Sequence, residues 1–322
     1  MCYNFFAGLK TCTLDAREQK SETFCQVSIS KLFEQERNMR KDGKRVGCDE
    51  PMYNVVPYIM TKRYDAMNMT TVDIPVEPMD RYIIESRKKG SPISHMGLVV
   101  AAYMKTVEDF PMLNRFVVNK KIYQRNEFNV AMVVIKASDM DNGTMSKMFF
   151  DYSDDVVTVQ KKIDEYIAAN RKDDNSNSTD KLIKVLLSVP GLCNFLVGLF
   201  KFMDKHGLLP KSIIDASPFH NSMCITNLAS IRTNHIYHHC YEFGTTSVFL
   251  AMGNLREVPK RGADGEIKFV RCIPIGVVMD ERICSGAYFA KAFRRFRGYL
   301  ANPASIDKQP EKVAVTEKTE QA

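Results

Sequence analysis

Chemistry-bearing side chains gather in two short stretches of this chain. The first is Asp280-Glu281-Arg282-Ile283-Cys284-Ser285-Gly286, which follows an apolar run (Ile273 to Met279) and precedes an amphipathic one (Ala287 to Leu300). That is a strand–turn–helix junction, and Gly286 suits the tight helix start. Cys284 offers a thiol there, although cysteine packs equally well as a small apolar residue. The second stretch is His235-Ile236-Tyr237-His238-His239-Cys240. A metal centre needs further ligands at suitable distances, and the adjacent His238 and His239 point apart if the chain is extended. The sequence therefore predicts no metal site, and a packing role for this histidine loop.

Several elements must position these residues. Met52 to Met60 reads as a strand delimited by Pro51 and interrupted by Pro57, and Thr70 to Val76 as a second strand. Met79 to Lys89 reads as a helix stopped by Gly90, and Ser94 to Phe110 as a serine-capped helix ended by Pro111. Arg115 to Tyr123 and Glu127 to Ala137 read as antiparallel strands, continued by Met145 to Tyr152 after the Asp141-Asn142-Gly143 turn. Asp155 to Arg171 is a helix, followed by a polar linker over 172–179. Leu182 to Met203, broken at Pro190-Gly191, is strongly apolar. Burial against the sheet or a neighbouring subunit is its first reading; an acyl-chain pocket wall or a membrane contact are the others.

Later strands are expected at Ser222 to Leu228, Ser247 to Met252, Lys268 to Cys272 and Ile275 to Met279, with a hairpin loop over 260–265. Mixed strands and helices without strict alternation imply an α+β layered sandwich with a mixed sheet. Residues 1–36 look appended, 37–305 form the domain, and 306–322 a charged, disordered tail.

Composition narrows the function. The chain has 322 residues, 45% apolar and 26% charged, with net charge +7. Its cations are scattered without a basic stripe and interleaved aromatics, which argues against nucleic-acid binding. Nine cysteines occur without C-x-x-C spacing or a secretory leader, implying reduced thiols and a cytoplasmic setting. No run reaches the roughly 18 apolar residues of a membrane span.

Taken together, the motifs resemble the chloramphenicol acetyltransferase-like superfamily, closest to the catalytic domain of the 2-oxoacid dehydrogenase acyltransferases. Asp280 to Gly286 resembles the family's Asp-His-Arg-x-x-Asp-Gly signature. Met223-Cys224-Ile225-Thr226-Asn227-Leu228 is similar to its Phe-Thr-Ile-Ser-Asn-Leu strand, and Phe243 to Gly253 to the strand that follows. The resemblance covers roughly residues 50 to 305 and is best at the C-terminal end.

The resemblance implies a homotrimer with active-site channels between subunits, an acyl-coenzyme A thioester as co-substrate, no metal, and a small-molecule acyl acceptor. By position it makes Thr226 the hydroxyl that steadies the tetrahedral oxyanion, and Glu281 the base where the family carries histidine. His238 and His239 border the site in relatives and are substitute acid–base candidates. Asp280, Arg282, Ser285 and Gly286 become structural parts of the motif. Ser285 replaces an aspartate that pairs with an arginine; Arg63 is that arginine's counterpart, and the serine is expected to loosen the turn. A thiol near ~8.5 giving its proton to a carboxylate near ~4.3 climbs roughly 5.7 kcal/mol, against roughly 2.7 kcal/mol for histidine. The difference is about 3 kcal/mol, or ~100-fold in rate. Burial can raise a glutamate by ~3–5 units and recover it. The resemblance thus implies an acyltransferase or, alternatively, a catalytically degenerate binding or scaffold trimer.

Overall fold

The computed structural model describes residues 40–47, 51–135, 143–171, 188 and 190–307. The expected N-terminal extension, the polar linker and the tail from 308 onward lie outside the described residues. Ile306 is buried, and Asp307 accepts hydrogen bonds from Tyr82 and the Val156 amide, so the folded unit continues through residue 307.

The chain runs β1 (Gly43–Arg45), α1 (Pro51–Ile59), β2 (Met67–Pro75), α2 (Glu77–Lys88), α3 (His95–Asp109), β3 (Arg115–Val118), β4 (Lys121–Arg125), β5 (Phe128–Ile135), β6 (Gly143–Phe150) and α4 (Val156–Asn170). It continues with α5 (Leu192–Lys205), α6 (Lys211–Ala216), β7 (Met223–Asn227), β8 (Val248–Met252), β9 (Arg256–Arg261), β10 (Ile267–Asp280) and α7 (Gly286–Ala301). A mixed seven-stranded sheet has the order β2-β10-β8-β7-β5-β6, with β9 paired to the first half of β10. β5, β7 and β8 are mutually parallel; the other pairings are antiparallel. β1, β4 and β3 make a small second sheet. The architecture is α+β, as the sequence implies.

Period-two alternation assigns the two faces of the main sheet. Ile273, Ile275, Val277 and Met279 of β10 enter the large core with α2, α3 and α7. Val278 turns to the other face and joins Ala131, Cys224, Phe249 and Cys240. The local signals work as expected for α3, whose Ser94 cap accepts from the Gly97 amide, and for α2, which stops before Gly90 at φ +82°.

Four assignments change. Met52 to Met60 is a helix, not a strand: Pro51 opens α1 with the φ a helix start requires, and its Val and Tyr residues imitate a β pattern. Arg115 to Tyr123 is two strands. Asn119 and Lys120, at φ 49° and 61°, make the tight turn that folds β4 back on β3 in the small sheet. The loop placed at 260–265 lies after an unforeseen strand, β9, and Lys260 and Arg261 belong to that strand. β10 itself runs unbroken through Pro274, because that proline falls between the end of β9 pairing at Cys272 and the start of β8 pairing at Ile275. Its missing N–H is not needed there.

Candidate active site

Asp280 ends β10 and is fully buried. Its carboxylate takes two parallel bonds from Arg282, Nε to Oδ1 at 2.8 Å and Nη2 to Oδ2 at 2.7 Å. Arg63 lies on the other side, Nε to Oδ2 at 3.5 Å, an ion pair without hydrogen-bond geometry. Burial opposes the Arg282 charge, but the Asp280 bonds outweigh it and hold the guanidinium above its ordinary value. Arg63 spends its remaining donors on the carbonyls of Tyr241, Gly244 and Val117, and Arg282 reaches the Met60 carbonyl. This buried arginine–aspartate–arginine cluster fixes the turn to three separate segments, around residues 60–63, 117 and 241–244.

The expectation for Ser285 is therefore corrected. Arg63 finds its carboxylate at Asp280, so the ion pair survives without an acid at 285. Ser285 becomes the N-cap of α7, its Oγ accepting from the Tyr288 amide at 3.2 Å, which tightens the helix start. Gly286 is the first residue of that helix. Cys284 is buried in the core, so the structure gives its thiol no access to a substrate.

Glu281 is half-buried. Its amide donates to the Ala66 carbonyl at 2.8 Å, and its Oε2 accepts from Asn68 Nδ2 at 2.6 Å. Asn68 had no local signal in the sequence; β2 brings it beside Glu281 because it pairs opposite Met279. Two cavities flank the turn. One, of about 630 Å3, lies between α7, β2 and β9, with Asn68, Phe289, Phe293, Lys260, Arg294 and Arg297 in its wall. The other, of about 420 Å3, is walled by Arg63, Arg282 and four lysines.

Thr226 stands near the end of β7, with its hydroxyl buried and without a hydrogen-bond partner. An orphaned buried hydroxyl costs on the order of 1–3 kcal/mol, which favours a ligand that would accept its proton. Thr226 does not meet Glu281. It pairs opposite Ala251, Ala251 pairs opposite Gly276, and Glu281 lies five residues beyond Gly276. Five strand residues at about 3.3 Å and two inter-strand steps of about 4.8 Å separate their backbones by about 19 Å. Within one chain these two side chains sit at opposite ends of the sheet.

The histidine loop crosses the second face of the sheet. At Gly276 a Cβ would sit 2.3 Å from the Ile236 carbonyl oxygen, so only glycine admits the crossing. His235 Nε2 meets Thr71 Oγ1 at 2.9 Å, and Thr71 in turn meets the Tyr237 hydroxyl at 2.5 Å. His238 stacks on Phe249 with centroids 4.3 Å apart; burial, then the neighbouring His239, lower its pKa. His239 is exposed and edges onto Tyr241. Among the described residues no hydrogen bond joins either histidine to Glu281 or Thr226, and no group of side chains is arranged to hold a metal.

Sequence reading also missed His220. It is fully buried, its Nε2 3.3 Å from Asp204 Oδ1 on α5 and its Nδ1 2.8 Å from Ser217 Oγ. Asp204 also pairs with Arg40 at 2.5 Å, and Arg40 with Asp42 at 2.9 Å. The partners lie as many as 164 residues apart, and no local pattern announces them.

Comparison with known proteins places these observations. Residues 220–307, which include both Thr226 and Glu281, match the family model for the 2-oxoacid dehydrogenases acyltransferase (catalytic domain). The fold is similar to a probable dihydrolipoamide acetyltransferase from Listeria monocytogenes (12% identity, 83% of this chain, 96% of that one, TM-score 0.51). It is also similar to the cubic core of the pyruvate dehydrogenase multienzyme complex (10%, 80% and 88%, 0.53). A truncated catalytic core of the 2-oxoacid dehydrogenase complex from Thermoplasma acidophilum compares similarly (12%, 81% and 99%, 0.50). No curated protein sequence matches the chain significantly. The chain therefore has the chloramphenicol acetyltransferase-like fold. Its segment 220–307 is similar to the 2-oxoacid dehydrogenase acyltransferase catalytic domains.

Proposed function

We propose that this protein is an acyltransferase that moves an acyl group from an acyl-coenzyme A-type thioester to a small-molecule acceptor, at sites formed between copies of the chain in a homotrimer. The observation that carries this reading is the separation of Thr226 from Glu281, with the Thr226 hydroxyl left without a partner. A site using both must draw them from two subunits. Glu281 takes the proton of the acceptor as its heteroatom attacks the thioester carbonyl. The Thr226 hydroxyl donates to the resulting oxyanion. Collapse breaks the carbon–sulfur bond, and the departing thiolate takes the proton back from Glu281. Lys260, Arg294 and Arg297 suit the phosphates of a coenzyme A, and Phe289 and Phe293 offer apolar wall to its thioester arm.

A specific observation favours the rival, a trimer that binds without reacting. Glu281 is only half-buried and is held by the Asn68 amide. In the family the base must meet its substrate in a dry channel, and one chain alone does not enclose this carboxylate.

Thiol release from acetyl-coenzyme A, measured on the full-length protein with a panel of amine, alcohol and thiol acceptors, decides between them. Glu281→Gln and Thr226→Ala are each expected to lose about 100-fold or more, the weight of a general base or an oxyanion donor. Co-assembling the two inactive variants should restore part of the activity, because some interfaces then carry both native side chains. Wild-type inactivity with turnover appearing only in Glu281→His would establish the non-catalytic trimer. Full activity in Glu281→Gln would sink the proposed mechanism.

A further inference from the structure

Helix α5 is apolar along most of its length, yet the fold leaves it largely uncovered. Phe195, Leu199 and Phe202 recur at i, i+4 and i+7 and are 67%, 41% and 55% exposed. Asp204 is the helix's one buried residue, so α5 is anchored at its C-terminal end by Arg40 and His220. Helix α1 presents a second exposed apolar set, Met52, Val55, Tyr58 and Ile59. The 420 Å3 cavity joins the two: Lys201 and Lys205 of α5 line it beside Lys62 and Lys120, and the Lys120 ammonium lies 5.1 Å over the Tyr58 ring. Among the described residues none of these four lysines pairs with a carboxylate, and the cavity's own acids are already engaged, Asp204 by Arg40 and Glu242 by the Arg63 amide.

We infer that the face formed by α5, α1 and the lysine-lined cavity docks on an anionic lipid surface. Phe195, Leu199 and Phe202 enter the boundary between headgroups and acyl chains, and the lysines meet the headgroup phosphates. Fourteen residues of helix span about 21 Å, short of the ~30 Å hydrocarbon core, so α5 lies in the interface and does not cross it. No described helix is long and apolar enough to cross a membrane. A second copy meeting this face through its own would set four lysines against four lysines; the charge favours an anionic partner. This inference stands whether or not the acyl transfer reaction does.

Co-sedimentation of the full-length protein with vesicles of phosphatidylcholine, alone or containing phosphatidylglycerol, tests it at low and high salt. The protein should pellet with the anionic vesicles and be released by salt. Lys201→Gln with Lys205→Gln should weaken that binding about 25-fold, about fivefold for each charge. Phe195→Ser with Phe202→Ser should weaken binding without changing the melting temperature, which verifies that the variant folds. Failure of the wild type to pellet with anionic vesicles overturns the inference, as does binding indifferent to both pairs. A drop in oligomer mass in the Phe195→Ser, Phe202→Ser protein, without vesicle binding by the wild type, would assign the face to a second copy instead.

Discussion

Helices α3 and α5 are nearly equal in length and both rich in apolar residues, yet they end up in opposite surroundings. α3 is buried at every position from Met96 to Val107 between the sheet, α7 and α4, including Lys105, which pairs with Glu108 at 2.6 Å. α5 buries only Asp204. A broad apolar helix face requires an apolar surround, supplied either by a protein core or by lipid. The contrast shows that apolar content sets the requirement, while the path of the chain decides who meets it. It also separates two kinds of anchor: α3 is held by close packing, α5 by a carboxylate between Arg40 and His220.

The sharpest way to break this contrast is to remove a charge where packing leaves no relief. Asp280→Asn strands Arg63 and Arg282 in the interior and should cost about 3–5 kcal/mol in denaturant-derived stability. A loss under about 1 kcal/mol would mean that the buried cluster does not hold the turn. Next is Leu98→Ala in α3, expected to cost about 2–5 kcal/mol because a fully buried side chain leaves a cavity. The same truncation idea applied to α5, Phe195→Ser, should fall within about 0.5 kcal/mol of wild type. If the two helices responded alike, the exposure of α5 would not describe the protein in solution.

Acid should produce an intermediate effect, felt early in α5. Burial works against the charge of Asp204, but the adjacent His220 ring and Arg40 outweigh it and hold the carboxyl below its ordinary value; Asp42 is held low in the same way by Arg40 and Arg125. Groups lowered in the folded state contribute stability that is complete above the unfolded pKa near ~3.9 and is lost as pH falls through the folded value. Below about pH 4, amides of α5 should lose hydrogen-exchange protection before those of α3. Simultaneous loss would contradict the single-anchor account. Ser285→Ala, which removes the α7 cap, is the smallest structural change and should cost about 1 kcal/mol in thermal stability.

The sequence was informative wherever the signal was local. The Ser94 cap, the Gly90 stop, the span of α4 and the strand–turn–helix junction at 280–286 all lie where residue order places them. It misled where one composition serves two structures: Val and Tyr in 51–59 suit a strand, yet Pro51 starts a helix there. At the candidate site the residue types were legible but not their partners. Arg63 was recognisable as a structural arginine, while the choice of Asp280 over position 285 depends on how a short turn at 63–65 docks against the end of β10. Asn68 and His220 gave no signal, since their partners lie on other elements.

Residue order alone determined the α+β class, the family resemblance and the junction that bears Glu281, because caps, turns and hydrophobic periods act over a few residues. Only the tertiary structure decided that Thr226 and Glu281 lie about 19 Å apart in one chain, that Asp280 binds two arginines, and that α3 is enclosed while α5 is bare. Those outcomes depend on strand register and on which surfaces are left to pack, and both are fixed by contacts between residues far apart in the sequence.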